Sequence, residues 1–443
     1  MLIRIITTLI LVTSCSLWAL PAAAKQNLQD PYRIIVKFAD PTIWKRYQVM
    51  NRQMENLTGV PTTKAKPLGG GMVAFHFNKA EIERLSQIEG KKPERLLEEI
   101  RTKVATGQGI QFATVDKLNK INQISHALQW DEFAPPGGIQ VEGNNGAWQW
   151  TQGDPNVTVA VLDTGIVQHP DLLPNILPGF NMIDGNEDTT DLGITTYYHG
   201  THVAGTIAAN GKLLGIAPYV KILPIKVCNG DGCWDSDVIA GIYWASGMAV
   251  GNYPVNSTPA KVMNLSLGGD SSICPPSYRD AIYAATKLKN VAVVVAAGNS
   301  YANAALSSPA NCFNTITVAA TNRQGLRSSY SNFGKTITIA APGGDNTPVA
   351  EDGILSTVGT SDHGFGYAYY AGTSMAAPHV TGVIALMLSV NPNLTYQEVK
   401  QIIQETAIPF PVATGYYNCQ MPYGCGMGII NAANAVQSAA YKN

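Results

Sequence analysis

Residues 157–165 read Val157-Thr158-Val159-Ala160-Val161-Leu162-Asp163-Thr164-Gly165. A run that is apolar but for one β-branched threonine, closed by a polar turn, fits a strand buried on both faces, as in a parallel sheet with helices on either side. The pattern recurs at 222–227, 261–266, 291–297, 315–320 and 336–340. Helical apolar spacing occupies 202–209, 237–245, 279–288 and 374–390, and a last helix is expected over 395–406, opened by the capping box of Thr395 and Glu398. Strands alternating with helices predict an α/β fold with a mostly parallel central sheet covered on both faces.

Ahead of this body, residues 30–120 read as a small α+β unit, with strands at 32–38 and 72–77 and helices at 81–88 and 95–105. The boundary is expected within 117–135, giving segments 1–24, 25–125 and 126–443. At 443 residues the chain has room for one large domain and a smaller one. With 45% apolar and 14% charged residues, a disordered polyelectrolyte is excluded. The two parts differ in charge: residues 1–120 carry 18 Lys and Arg against 10 Asp and Glu, and residues 121–443 carry 12 against 21. Because the cations of the first part alternate with glutamates along 81–101, the split reads as intramolecular partnering, with no nucleic-acid arm.

The first 24 residues hold Arg4, an apolar run over 5–20 and Pro21-Ala22-Ala23-Ala24, which is a secretory signal peptide cut after Ala24. A competing reading takes Val12-Thr13-Ser14-Cys15 as a lipoprotein box with lipid on Cys15, giving a periplasmic or envelope-anchored protein. Beyond it no stretch has the roughly 18 uninterrupted apolar residues of a membrane helix, so no span is expected in the exported part. Six cysteines remain after Cys15 is removed, and an even count after export implies disulfides. Of the possible connectivities, short loops favour Cys228 with Cys233 and Cys419 with Cys425, leaving Cys274 for Cys312. Their spacings lack the paired CxxC of a zinc site.

Asp163 ends its strand, His199 opens His199-Gly200-Thr201-His202, and Ser374 opens a helix in Gly372-Thr373-Ser374-Met375-Ala376-Ala377-Pro378. In a parallel sheet, strand carboxyl ends and the amino ends of the following helices share one rim, so the three converge. A serine hydroxyl needs a neighbouring imidazole to take its proton, and the imidazole needs a carboxylate to fix its tautomer. Asn299, closing Val293-Val294-Val295-Ala296-Ala297-Gly298-Asn299, is placed to donate to an oxyanion with the Ser374 backbone N–H. Pro378 is tolerable so close to a helix start.

These four segments, in this order, resemble the subtilisin-like serine proteases, over about residues 148–436. His169-Pro170-Asp171-Leu172 and Gly426-Met427-Gly428-Ile429-Ile430-Asn431 also look like family landmarks. The resemblance implies a secreted, monomeric serine endopeptidase acting on proteins and peptides, made as a self-processing zymogen. Its leader, 25–125, would then be a propeptide that assists folding and inhibits intramolecularly. It implies that Ser266, Leu267, Gly268 and Gly269 form one substrate edge, that Asn229 and Gly230 belong to the opposite edge, and that Ala297 and Gly298 help line the pocket. The six cysteines resemble those of secreted bacterial members. No cofactor is required for the chemistry.

Asp184, Asn186, Asp188 and Asp191 form an acidic cluster before His199 that suits structural calcium or is a solvated loop; Thr189 breaks an EF-hand pattern. His202 is read as structural, and Trp148 and Trp150 as packing residues. Two other functions compete: a binding protein that has lost catalysis, opposed by retention of all four polar residues, and a serine-carboxyl peptidase, opposed by Asn299 and His199.

Overall fold

The computed structural model describes residues 31–442 except 41, 43–46, 120–128, 144, 194–195, 346, 348, 350–351, 362–363, 414 and 420–423. The expected signal peptide with Ala24 and Cys15, and much of the expected junction, lie outside the described residues. In the leader, β1 (Arg33–Phe38), β2 (Thr62–Gly69), β3 (Met72–Phe77) and β4 (Ile110–Val115) form an antiparallel sheet in the order β2-β3-β1-β4. Helices α1 (Tyr47–Thr58), α2 (Lys79–Glu89) and α3 (Pro93–Ala105) complete it. Alternation along β1 sends Ile34 and Val36 to a core shared with Met50, Met54, Leu96 and Ile100. Ile35, with Leu68, Met72 and Ala74, instead joins the body's apolar layer beside Ile239, Ile242 and Tyr243. Two ion pairs also cross between the parts, Lys37 with Asp280 at 3.0 Å and a buried contact of Lys66 with Asp237.

At the leader's end lies β5 (Leu118–Asn119), and the body contributes β6 (Thr158–Asp163), β7 (Phe180–Asn181), β8 (Lys221–Lys226), β9 (Cys228–Asn229), β10 (Gly232–Trp234) and β11 (Val262–Leu265). There follow β12 (Gly269–Asp270), β13 (Ala292–Ala296), β14 (Ser307–Ser308), β15 (Ile316–Thr321), β16 (Ile339–Pro342), β17 (Ile354–Gly359) and β18 (Phe365–Tyr370). Its helices are α4 (His199–Ala208), α5 (Asp235–Ala245), α6 (Pro276–Tyr283), α7 (Thr373–Val390), α8 (Tyr396–Glu405) and α9 (Ala432–Tyr441). The seven-stranded sheet β16-β15-β13-β11-β6-β8-β7 is parallel at every pairing.

Both faces of the sheet are covered. Val159 and Val161 face a core with α7, α8 and α9, while Ala160 and Leu162 face the layer of α5 and α6. From β6 the chain adds β7 and β8 on one side and then crosses to β11 on the other, so the topological switch adjoins the carboxyl ends of β6 and β11. Ligand sites in open α/β sheets form at such a point. Helix α7 is long and apolar enough to match a membrane span, but 89% of it is buried inside the protein, as suits a core helix.

The helix expected as last is followed by α9, whose start is capped by Asn431 accepting from the Asn434 N–H. Its alanines pack against α7 with no strong apolar stripe, which is why periodicity passed over it. The three expected disulfides, Cys228–Cys233, Cys274–Cys312 and Cys419–Cys425, are all formed.

Candidate active site

Strand β6 delivers Asp163 to the rim, and the turn after it lets α4 come close. Gly165 has φ +98°, and a Cβ there would lie 2.2 Å from the Thr189 carbonyl; one on Gly200 would lie 2.3 Å from the Gly165 carbonyl. Two glycines are thus needed for Asp163 and His199 to meet. Asp163 Oδ1 accepts from the Thr164 N–H at 2.8 Å and from His199 Nδ1 at 2.7 Å. His199 is fully buried, and its Nε2 has no partner among the described residues.

A second contact locks the same corner. Thr164 Oγ1 donates to Asp191 and accepts from the Gly200 N–H at 2.9 Å, and Asp191 also receives the Gly193 N–H and the Thr196 hydroxyl. Burial pushes the Asp191 carboxyl above its usual range, against the pull of those donors. The expected acidic cluster therefore divides: Asp191 is buried at the Asp163–His199 corner, while Asp184, Asn186 and Asp188 are exposed and engaged in local turns. Lys226 Nζ donates to the Thr164 and Thr190 carbonyls beside them, at 2.9 and 2.7 Å. Among the described residues no group of three or more His, Cys, Asp or Glu is gathered to hold a metal.

His202, one turn along α4, donates from Nε2 to the Ile354 and Ala368 carbonyls, both at 3.0 Å. Burial, then the nearby His199, lowers its pKa to about 3, so it is a neutral structural residue. Trp148 packs on the core and donates to the Ile216 carbonyl at 2.9 Å; Trp150 makes an edge contact with Tyr441.

Ser374 lies in the first turn of α7 and is 2% exposed. Its Oγ donates to the Ser266 carbonyl at 3.2 Å, so in this state the hydroxyl is turned from the imidazole. Pro378 has no N–H to give to the Ser374 carbonyl four residues back; Ser266 Oγ makes that bond instead, at 2.7 Å, and is itself held by Asn264 Nδ2 at 2.8 Å. Asn299, beyond β13, is aligned by its oxygen. Oδ1 accepts from the Thr373 N–H and hydroxyl at 2.9 and 2.7 Å, which fixes the side-chain amide at the start of α7.

The expected substrate edges are partly re-drawn. Ser266, Leu267 and Ala297 are buried, and Gly269 pairs with Ser308. Gly268, Gly269 and Gly298 do line a cleft of about 660 Å³, together with Ser300, Ser307, Asn332 and Trp234. Asn229 and Gly230 lie in a hairpin closed by the Cys228–Cys233 bridge, in which Asn229 pairs with Gly232. The outer edge is Cys233–Trp234, and Leu118–Asn119 pairs on it antiparallel, with Asp235 N–H donating to the Lys117 carbonyl at 2.8 Å. Sequence reasoning missed Thr164, Thr373 and Trp234 and read Asp191 only as part of an acidic cluster; Thr164 and Thr373 stood inside motifs already singled out.

A family model described as the subtilase family matches residues 154–434. The chain is 38% identical over 417 residues to the "Extracellular protease" of Xanthomonas campestris pv. campestris, covering 86% of this chain and 68% of the relative. Proteases from Pseudoalteromonas arctica are similar in structure, with a TM-score of 0.64 and 38% identity over 70% of this chain and 97% of theirs. So is fervidolysin from Fervidobacterium pennivorans, a keratinolytic enzyme related to subtilisin, with a TM-score of 0.66 and 25% identity over 91% of this chain and 60% of its own.

Proposed function

The chain belongs to the subtilase family of serine endopeptidases, and on that premise we propose that it is an extracellular enzyme cleaving internal peptide bonds through an acyl-enzyme on Ser374. The observation that carries this reading is the state of His199: Nδ1 is taken by Asp163 at 2.7 Å while Nε2 is unpartnered among the described residues. Such an imidazole holds its proton on Nδ1 and has a basic nitrogen free.

In the reaction, Ser374 Oγ rotates from the Ser266 carbonyl and gives its proton to His199 Nε2 as it attacks the scissile carbonyl. The resulting oxyanion is met by the Asn299 amide N–H and the Ser374 backbone N–H at the positive end of α7. The C–N bond breaks as His199 returns the proton to the amine, and water repeats the sequence to free Ser374. Asp163 stabilises the imidazolium each time. A substrate strand fits between the Gly268–Gly269 side and the Cys233–Trp234 edge, where main-chain pairing supplies affinity.

The same edge supports the zymogen reading, since Leu118–Asn119 of the leader's end already pairs there. We assign 25–125 as the propeptide, an intramolecular inhibitor removed by the enzyme itself, after a signal peptide of 1–24. The relative named as an extracellular protease supports export, and nothing supports lipid anchoring at Cys15. Protein and peptide substrates are the partners, and the enzyme acts as a monomer. The chemistry needs no cofactor. Of the two readings of the acidic loop, structural calcium or a solvated loop, we favour the solvated loop, since Asp184, Asn186 and Asp188 are exposed and engaged in local turns, so a chelator should leave the melting temperature in place.

The test is digestion of an unfolded protein by wild type and by H199A, with products mapped by mass spectrometry. Internal cleavages by wild type, lost in H199A, are expected. Equal digestion by both would exclude His199 as the base.

A further inference from the structure

A second buried His–Asp couple lies behind the nucleophile. His379 and Asp131 are 0% and 3% exposed at their side chains, with Nε2 2.8 Å from Asp131 Oδ2. Unlike His199, His379 has its other nitrogen engaged too: Nδ1 lies 2.7 Å from the carbonyl of Met375, the residue next to Ser374. A carbonyl only accepts, so Nδ1 carries a proton; the contact with Asp131 needs another, shared between Nε2 and the carboxylate. With both ring nitrogens engaged, the ring donates to the Met375 carbonyl from Nδ1 while Asp131 faces Nε2 and holds the plane of the ring.

The bond falls where α7 is weakest. Pro378 withholds an N–H from the Ser374 carbonyl, which Ser266 Oγ holds instead, and one residue on the His379 side chain adds a bond to the Met375 carbonyl. Asp131 reaches this turn from the start of the body, in the short 3₁₀ turn Trp130–Glu132. That turn is anchored by Trp130 Nε1 to the Gly353 carbonyl at 2.8 Å and by the Asp131 carbonyl accepting from the Ile139 N–H at 2.9 Å. Asp131 Oδ1 has no partner among the described residues, and of these His379 is the group that compensates the buried carboxylate.

We propose that His379 is a positioning residue for Ser374, holding the nucleophile turn through Nδ1–H to Met375, with Asp131 tying that turn to the first segment of the body. The inference rests on the reading of Ser374 as the nucleophile. A couple with both nitrogens occupied has no basic site to offer a substrate, so its contribution is to geometry. A displacement of the nucleophile of the order of 1 Å costs up to about 100-fold in rate.

The experiment compares wild type, H379N, H379Q and D131A, measuring the rate at which a fluorophosphonate labels Ser374, and kcat and KM on a peptide per titrated serine. Asn places an amide N–H near the Nδ1 position, whereas Gln places it near Nε2. H379Q should label about tenfold more slowly and H379N within about threefold of wild type, with kcat changing and KM steady. Equal rates for H379N and H379Q would overturn the proposal, because a merely structural role does not distinguish the two nitrogens. If both fail to fold, D131A decides: kcat reduced at constant KM is expected, and an unchanged kcat overturns it. Wild type unlabelled at Ser374 would instead remove the reading on which the inference rests.

Discussion

Ser266 Oγ donates to the Ser374 carbonyl at 2.7 Å, and Ser374 Oγ donates back to the Ser266 carbonyl at 3.2 Å. The first of these bonds replaces the helical one that Pro378 cannot make. In S266A a buried carbonyl is left unpaired, which costs about 1–3 kcal/mol. Thermal denaturation should register that loss, and kcat should fall with it, because the unpaired carbonyl belongs to the nucleophile itself.

Asn299 is held by its oxygen on Thr373, which leaves its amide for the proposed role at the oxyanion. N299A should lower kcat by about 100- to 1000-fold with little change in KM, as for loss of one oxyanion donor. Steady-state kinetics on a peptide amide checks this; a loss confined to KM would assign Asn299 to ground-state binding.

The Cys228–Cys233 bridge shapes the edge on which Leu118–Asn119 pairs. The double variant C228S/C233S should raise KM several-fold more than it lowers kcat, because it loosens a pairing strand and leaves the catalytic groups alone. Kinetics on long and short peptides separates the cases, with the longer peptide losing more.

His76, in β3 of the leader, is buried, and its pKa is lowered to about 2 by burial first and then by Arg33, Lys64 and Lys66. The unfolded leader takes up a proton on this residue below its ordinary value of about 6.5, while the folded one does not until far lower. The unfolded state therefore binds more protons across that window, and stability falls as pH drops from about 6.5 towards 2. Between pH 6.5 and 4.5 the loss is of the order of 1–3 kcal/mol. Melting of the leader in S374A at stepped pH should show it, and H76F should flatten the slope.

The α/β body was legible because strands such as β6 are apolar on both faces and stand between amphipathic or apolar helices. Asp163, His199, Ser374 and Asn299 were legible because each sits in a short motif at an element end. Strand β2 was not, since Thr62-Thr63-Lys64-Ala65-Lys66 places its lysines against another part of the chain, and the burial of Lys66 depends on Asp237, 171 positions away. Asp191 looked like part of an acidic cluster because proximity in sequence was the only information available. Its partner Thr164, 27 positions away, becomes a neighbour only in the folded chain. The hairpin beside the proposed substrate edge was not legible for a similar reason: pairing of Asn229 with Gly232 turns Gly230 into a hairpin tip.

The most direct measurement is intact mass of wild type beside Ser374→Ala, before and after a fluorophosphonate. Loss of the N-terminal segment and one adduct on Ser374 in wild type, with neither in the variant, is the predicted result. A folded wild type that remains full-length and takes no label, even after limited proteolysis of the leader, would contradict the assignment of Ser374 as the nucleophile of a self-processing protease.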